Sequence, residues 1–287
     1  MEKRSTSGTR IINALLLAIV SLLAVAAIAL PPARAADLSA AEVCDREAGS
    51  IFDLQRNQAF PAVSTEDIPI GVALSACREA YNQKSGARAE FQLARVLDKA
   101  GQKTQSLRIL GEAAEHGHAL AMTNYAVLMG EQGDTATEFS LNQKAAAAGN
   151  ILAAYNLGVS YRDGMGTPIN GKLAIEWFER ASLAGDDVAA FNLAVILDEG
   201  KLVAEDNRRA AKFYRLAADR GNVDAMVNLG LMLENGEGSA KDLPAAHAMF
   251  RKAANEGDAF AGQKLAELTA DETFQTAMLG KTSRTIK

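Results

Sequence analysis

The sequence predicts an all-α fold, an α-solenoid of about five helical hairpins with a helical N-terminal cap, and three observations carry that expectation. Residues 153–257 match themselves at a shift of 36. Within each unit the apolar positions recur at three and four residues rather than two, which is the period of a helix face and not of a strand. Glycines at fixed spacing punctuate the helices. Neither helix of a unit can bury its apolar stripe alone, so neighbouring units must stack.

Residues 1–35 stand apart from the fold. Lys3, Arg4 and Arg10 precede a run without charge from Ile11 to Leu30, and Pro31, Pro32 and Ala33-Arg34-Ala35 follow. A basic start, an apolar run and an A-x-A site make a signal peptide cleaved after Ala35. The run is also long enough to span a bilayer, so an uncleaved anchor is the alternative. Removing these residues takes away four basic side chains and Glu2, leaving 26 Lys and Arg against 34 Asp and Glu, a net charge of −8. So acidic a chain without a long basic run argues against nucleic acid as a partner.

Residues 36–85 read as the cap. Ser39-Ala40-Ala41-Glu42 has the form of a capping box, so a short helix carrying Cys44 starts there. A second helix, from about Pro69 to Tyr81, carries Cys77. In an exported chain this pair is most simply a disulfide, worth about 4 kcal/mol in the chain-entropy model. Two buried free thiols are the alternative. No histidine lies near them in sequence to suggest a metal site.

Residues 86–257 hold the repeats. Asn156, Leu157, Gly158, Gly164, Phe178 and Gly185 become Asn192, Leu193, Ala194, Gly200, Tyr214 and Gly221, then Asn228, Leu229, Gly230, Gly236, Phe250 and Gly257. Upstream, Gly117 and Gly149 are 32 apart, so two earlier units lack about four residues of the middle turn. In the third unit the first helix is expected over about 151–162, a turn at Asp163–Gly166, and the second helix over about 171–184. Gly158 is costly in a helix interior, by about 1 kcal/mol relative to alanine. Its position is Ala94, Ala126, Ala194 or Gly230 in the other units. That predicts a close crossing, with Ala174, Ala210 and Ala246 as the facing residues. Residues 258–287 continue the register through Ala261, Lys264, Leu265 and Ala266 into a capping helix, and GKTSRTIK at the end reads as a loose tail.

LGVSYRDGMG, AIEWFERASLAG, LGLMLENGEG and AHAMFRKAANEG resemble the Sel1-like repeat, a relative of the tetratricopeptide repeat with a longer first turn. The resemblance is specific over the three 36-residue units and weaker over the two shorter ones. It implies an α-solenoid that serves as an adaptor for other proteins. The cysteine-bearing preamble is similar to those ahead of Sel1-like repeats in exported alphaproteobacterial proteins.

No catalytic signature is present: no S-x-x-K, G-x-S-x-G, P-loop, H-E-x-x-H or G-x-G-x-x-G. The chain therefore reads as a non-enzyme without cofactor or metal. His116 and His118 flank a turn glycine and read as surface residues. Asn124, Asn156, Asn192 and Asn228 recur at one position of the first helix, with Gln92 before them and Lys264 after. Either the amides bond neighbouring helices, or they form a row that grips the backbone of an extended peptide, as asparagine ladders do in related tetratricopeptide arrays. Around them Tyr155, Val159 and Arg162, then Phe191, Val195 and Asp198, then Val227, Leu231 and Glu234 form an apolar strip edged with mixed charge. Such a strip suits a peptide or helix of another protein. The expected function is a periplasmic adaptor or regulator that holds another envelope protein or peptide on its concave face. A peptidoglycan-associated enzyme subunit and a secreted host-interaction factor are the alternatives. The membrane enters only if the leader is kept.

Overall fold

The computed structural model describes residues 38–282, with side chains through Ala270. The proposed leader lies outside the described residues. Among those described, thirteen helices and no strand occur. The cap consists of α1 (Ala40–Ala48) and α2 (Ile70–Asn82). Five hairpins follow: α3 (Ala87–Lys99) with α4 (Lys103–Glu115), α5 (Ala119–Glu131) with α6 (Thr135–Ala147), and α7 (Ile151–Asp163) with α8 (Gly171–Leu183). The last two are α9 (Asp187–Glu199) with α10 (Asn207–Asp219), and α11 (Val223–Asn235) with α12 (Leu243–Asn255). α13 (Ala259–Thr282) closes the stack. None of the described helices is long and apolar enough to cross a membrane.

All ten repeat helices are 13 residues long, and the turns set their register. The two short turns have three residues, 100–102 and 132–134, and the three long turns have seven, 164–170, 200–206 and 236–242. Each long turn is closed by the same backbone bond, Asn170 N–H to Tyr161 C=O, Asp206 to Leu197, and Asp242 to Leu233, at 2.7 to 2.9 Å. The side chains of Asn170, Asp206 and Asp242 then cap the next helix, satisfying a backbone donor that would otherwise lack a partner.

The long turns also reach back onto the preceding unit. A Cβ on Gly166 would sit 2.1 Å from the Thr135 carbonyl oxygen, and one on Gly238 would sit 2.1 Å from that of Asn207. In the middle unit the turn carries Leu202 instead, and the helix residue facing it is Gly171, whose Cβ would lie 2.7 Å from the Leu202 carbonyl oxygen. At each of these three contacts one side is glycine, because two backbones meet where there is no room for a second Cβ.

The core is a row of large residues from successive units, with Leu157, Leu193, Leu229, Phe178, Tyr214 and Phe250 all buried. The close approach at Gly158 is real, but its partner is not Ala174. A Cβ on Gly158 would lie 2.6 Å from the Phe178 ring, and one on Gly230 would lie 2.7 Å from the Phe250 ring. Side chains on a helix lean toward its N-terminus. The ring of Phe178 therefore covers the level of Ala174, one turn back, and takes the space against α7.

Cys44 and Cys77 form a disulfide, with Cα atoms 4.8 Å apart and both residues fully buried. The capping box at Ser39 and Glu42 is present. Pro69 is the N-cap of α2 rather than its first residue. Buried Asp45 fixes the cap to the first repeat by accepting from Arg88 at 2.9 Å and Gln92 at 2.8 Å, and accepts from Asn57 of the cap loop at 3.0 Å, as a buried carboxylate requires.

The histidines divide. His116 is exposed and pairs with Glu90 at 2.8 Å. His118 is buried, contrary to the surface reading. It stacks on Phe91 with ring centroids 4.4 Å apart, accepts from the Ala121 N–H, and lies 3.3 Å from Asp53. The cap loop carrying Asp53 folds over this turn, and the Gln55 side chain accepts from the Ala119 N–H at 2.8 Å. At the other end α13 runs to Thr282, so Gly280-Lys281-Thr282 is helical rather than tail. Residues 283–287 lie outside the described residues.

Candidate functional site

The first helices of the hairpins share one face, and it carries the residues singled out from the sequence. On its C-terminal half these side chains are half-buried and mostly spent on each other. The Asn156 amide donates to Asn142 on α6 at 3.3 Å. Asn192 accepts from Arg162 and donates to the Val188 carbonyl at 2.9 Å. Asn228 lies beside the Tyr214 hydroxyl and opposes the rise in its pKa, and that hydroxyl donates to Asp198 at 3.2 Å. Tyr155 tilts against Phe178 and Phe191 against Tyr214, with centroids 5.7 and 5.9 Å apart. Val159, Val195, Val227 and Leu231 pack on the core. Glu234 pairs with Lys264 at 3.2 Å.

The charges on this half follow from those contacts. Burial, then the Asp198 carboxylate, push the Tyr214 hydroxyl well above the ordinary tyrosine range. Burial likewise raises Asp198, against the hydrogen bond from Tyr214. Asp163 is lowered by its hydrogen bond with Arg162.

The N-terminal half is different. There a groove of about 920 Å³ opens, within the range of ligand-holding clefts. Its floor is Phe91, Ala94, Leu110, Leu120 and Leu128, and Leu107, Ile151 and Leu152 add to its walls. The cap loop supplies a rim of Ile51, Phe52 and Leu54, which are 67, 76 and 65% exposed. Phe91, Arg95 and Asp98 stand 64 residues before Tyr155, Val159 and Arg162. The groove is therefore the N-terminal continuation of the strip read from the sequence.

Polar side chains in the groove are nearly all committed. Arg95 donates to the Ala48 and Val63 carbonyls and to Thr65, and burial lowers its pKa from the usual arginine value. Ser106 donates to the Ala94 carbonyl at 2.8 Å, and Asn150 caps α7. Asp98 pairs with Lys103. Asn124 is exposed and makes no hydrogen bond among the described residues. Of the four recurring asparagines it is the exposed one. The sequence reading missed the groove because its rim comes from the cap; Ile51-Phe52-Asp53-Leu54, three apolar residues in a non-helical stretch, was the available signal.

The chain resembles known proteins in both sequence and fold. Residues 151–186, 187–222 and 223–258 each match the Sel1 repeat. The structure is similar to that of c5321, a protective antigen of uropathogenic Escherichia coli displaying an SLR fold, with 23% identity and a TM-score of 0.65 over 69% of this chain and 44% of that one. It is also similar to a Sel1 repeat protein from Oxalobacter formigenes, with 26% identity and a TM-score of 0.59 over 73% of this chain and 61% of that one. The chain thus spans less than two thirds of the length of either. No curated protein matches it. Sel1 repeats generally mediate protein interactions. Residues 151–258 of this chain are thus three tandem Sel1 repeats, in the units where turn, cap and core repeat most closely.

Proposed function

We propose that the chain is an exported, non-enzymatic adaptor that holds another envelope protein, or a peptide segment of one, on the concave first-helix face of its solenoid. The observation that carries this reading is the N-terminal groove, where an apolar floor, an exposed apolar rim and the unspent Asn124 amide meet on one surface. Exposed apolar patches of this kind are costly in water and mark interaction sites. Export is supported by the Cys44–Cys77 disulfide, since disulfides persist in oxidising compartments, and by the leader-like residues 1–35.

The immobilised full chain should enrich a small set of envelope proteins from a periplasmic extract. Leu128→Glu, which puts a charge on the groove floor, should release them without changing the helical signal in circular dichroism. Retention of the same proteins by that variant would refute the site. Labelling by a fluorescent penicillin, or release of muropeptides from purified sacculi, would refute the non-enzymatic reading.

A further inference from the structure

Resting on the reading that this face holds a partner, we infer that the groove takes an extended apolar peptide segment, uncharged along its middle and basic where it reaches Asp186. The first argument is the inventory of hydrogen-bonding groups. Arg95, Ser106 and Asn150 are spent within the chain and Asp98 is neutralised by Lys103, so along the middle of the groove the polar side chain without a hydrogen bond among the described residues is the primary amide of Asn124. A primary amide donates and accepts at once, and so matches one peptide group of an extended backbone. A helical ligand has already satisfied its own backbone groups. Docked here, it would strip water from Asn124 without replacing the lost hydrogen bonds.

The surroundings of Asn124 point the same way. Leu120 and Leu128 stand one helical turn on either side of it, so the amide rises from an apolar floor. An extended segment sends alternate side chains to opposite sides. It can therefore bury every second residue between these leucines while its backbone meets the amide.

Charge gives the segment its direction. At the far end of the groove Asp186 spends one carboxylate oxygen on the Ala189 N–H at 2.7 Å, and among the described residues no basic side chain pairs with it. The neighbouring Asp187 accepts from Asn222. Arg220 spends its guanidinium on the nearby Ser182 carbonyl and not on Asp186, so Asp186 keeps an unpaired negative charge, while Asp98 is balanced by Lys103. A basic residue belongs at Asp186 and a carboxylate there is repelled.

The test is fluorescence anisotropy of the oxidised full chain with labelled peptides of about ten alternating Leu and Ala residues. One peptide ends in Lys, one in Glu, and a third has the Lys composition locked as a helix by a side-chain lactam. The Lys peptide should bind best, and Asn124→Ala should weaken it by about 5- to 10-fold, the worth of one hydrogen bond. Asp186→Asn keeps the helix cap and should remove the preference for Lys over Glu. Thermal melts of both variants should match the parent. Equal binding of the helix-locked peptide, indifference to Asn124→Ala, or no binding of any peptide would each overturn the inference. Peptide binding lost on Val195→Glu but not on Leu128→Glu would also overturn it, while leaving the adaptor reading standing on another part of the face.

Discussion

Gly158→Ala adds one methyl group to a helix and should nevertheless destabilise the protein. In an exposed helix that change is worth about 1 kcal/mol of stabilisation. Here the new Cβ would lie 2.6, 2.7 and 2.8 Å from three atoms of the Phe178 ring. Ordinary carbon contacts lie at about 3.5–4.0 Å, so the ring must retreat by roughly 1 Å. It has nowhere to go, because Phe178 is fully buried and interiors of this kind are close-packed. Overpacking of this sort costs about 1–3 kcal/mol, which exceeds the gain in helix propensity at most of that range. The expected net loss is about 1 kcal/mol, or a fall of about 2–4 °C in Tm for a chain of this size. Gly111→Ala is the internal control. Gly111 is also inside a helix, but a Cβ there meets the Tyr125 ring at 3.5 Å, an ordinary contact. The same substitution should therefore raise the melting temperature. Circular dichroism melts of the two variants decide the matter, and shifts of the same sign would refute the packing argument.

Replacing Asn156, Asn192 and Asn228 together with alanine should lower the melting temperature, because Asn156 and Asn192 bond Asn142 and Arg162 on neighbouring helices and Asn228 is half-buried beside Tyr214, whereas Asn124→Ala should leave it unchanged. Parallel melts of the triple and single variants separate the two roles. Cys44→Ser combined with Cys77→Ser should cost about 4 kcal/mol in the chain-entropy model, read as a lower urea midpoint that matches that of the reduced parent. The hydrogen bond to Glu90, and then its charge, raise the pKa of His116 above 6.5. Its folded value lies above its unfolded one, so the stabilisation is complete below the unfolded pKa and disappears as pH rises through the folded pKa. A proton NMR titration should place the His116 midpoint above 6.5, and Glu90→Gln should bring it back down.

Much of the array was legible before any coordinates. Equal spacing of Asn156, Asn192 and Asn228 located the first helices, and Gly185, Gly221 and Gly257 marked the ends of the second ones, where φ is +114°, +99° and +96°. Such left-handed positions leave a clear trace because side chains other than glycine rarely tolerate them. The facing residue at Gly158 was less legible. Small residues at a crossing reveal that something comes close, but the direction in which the Phe178 side chain leans decided what it was. His118 was misread because a residue beside a turn is exposed only if nothing folds over it, and the Asp53 loop, 65 residues away in sequence, does so.

By itself the sequence determined the repeat, its helical period and its turn glycines, because each of these is enforced by local backbone sterics or by composition within one unit; the Cys44–Cys77 pairing needed the fold. Only the tertiary structure decided which face residues are free. The amides of Asn124 and Asn156 are equivalent in register, yet one is exposed in a groove and the other is bonded to Asn142. Whether a polar group is spent depends on what other segments bring to it. Along this face those neighbours change from unit to unit while the repeat stays nearly the same.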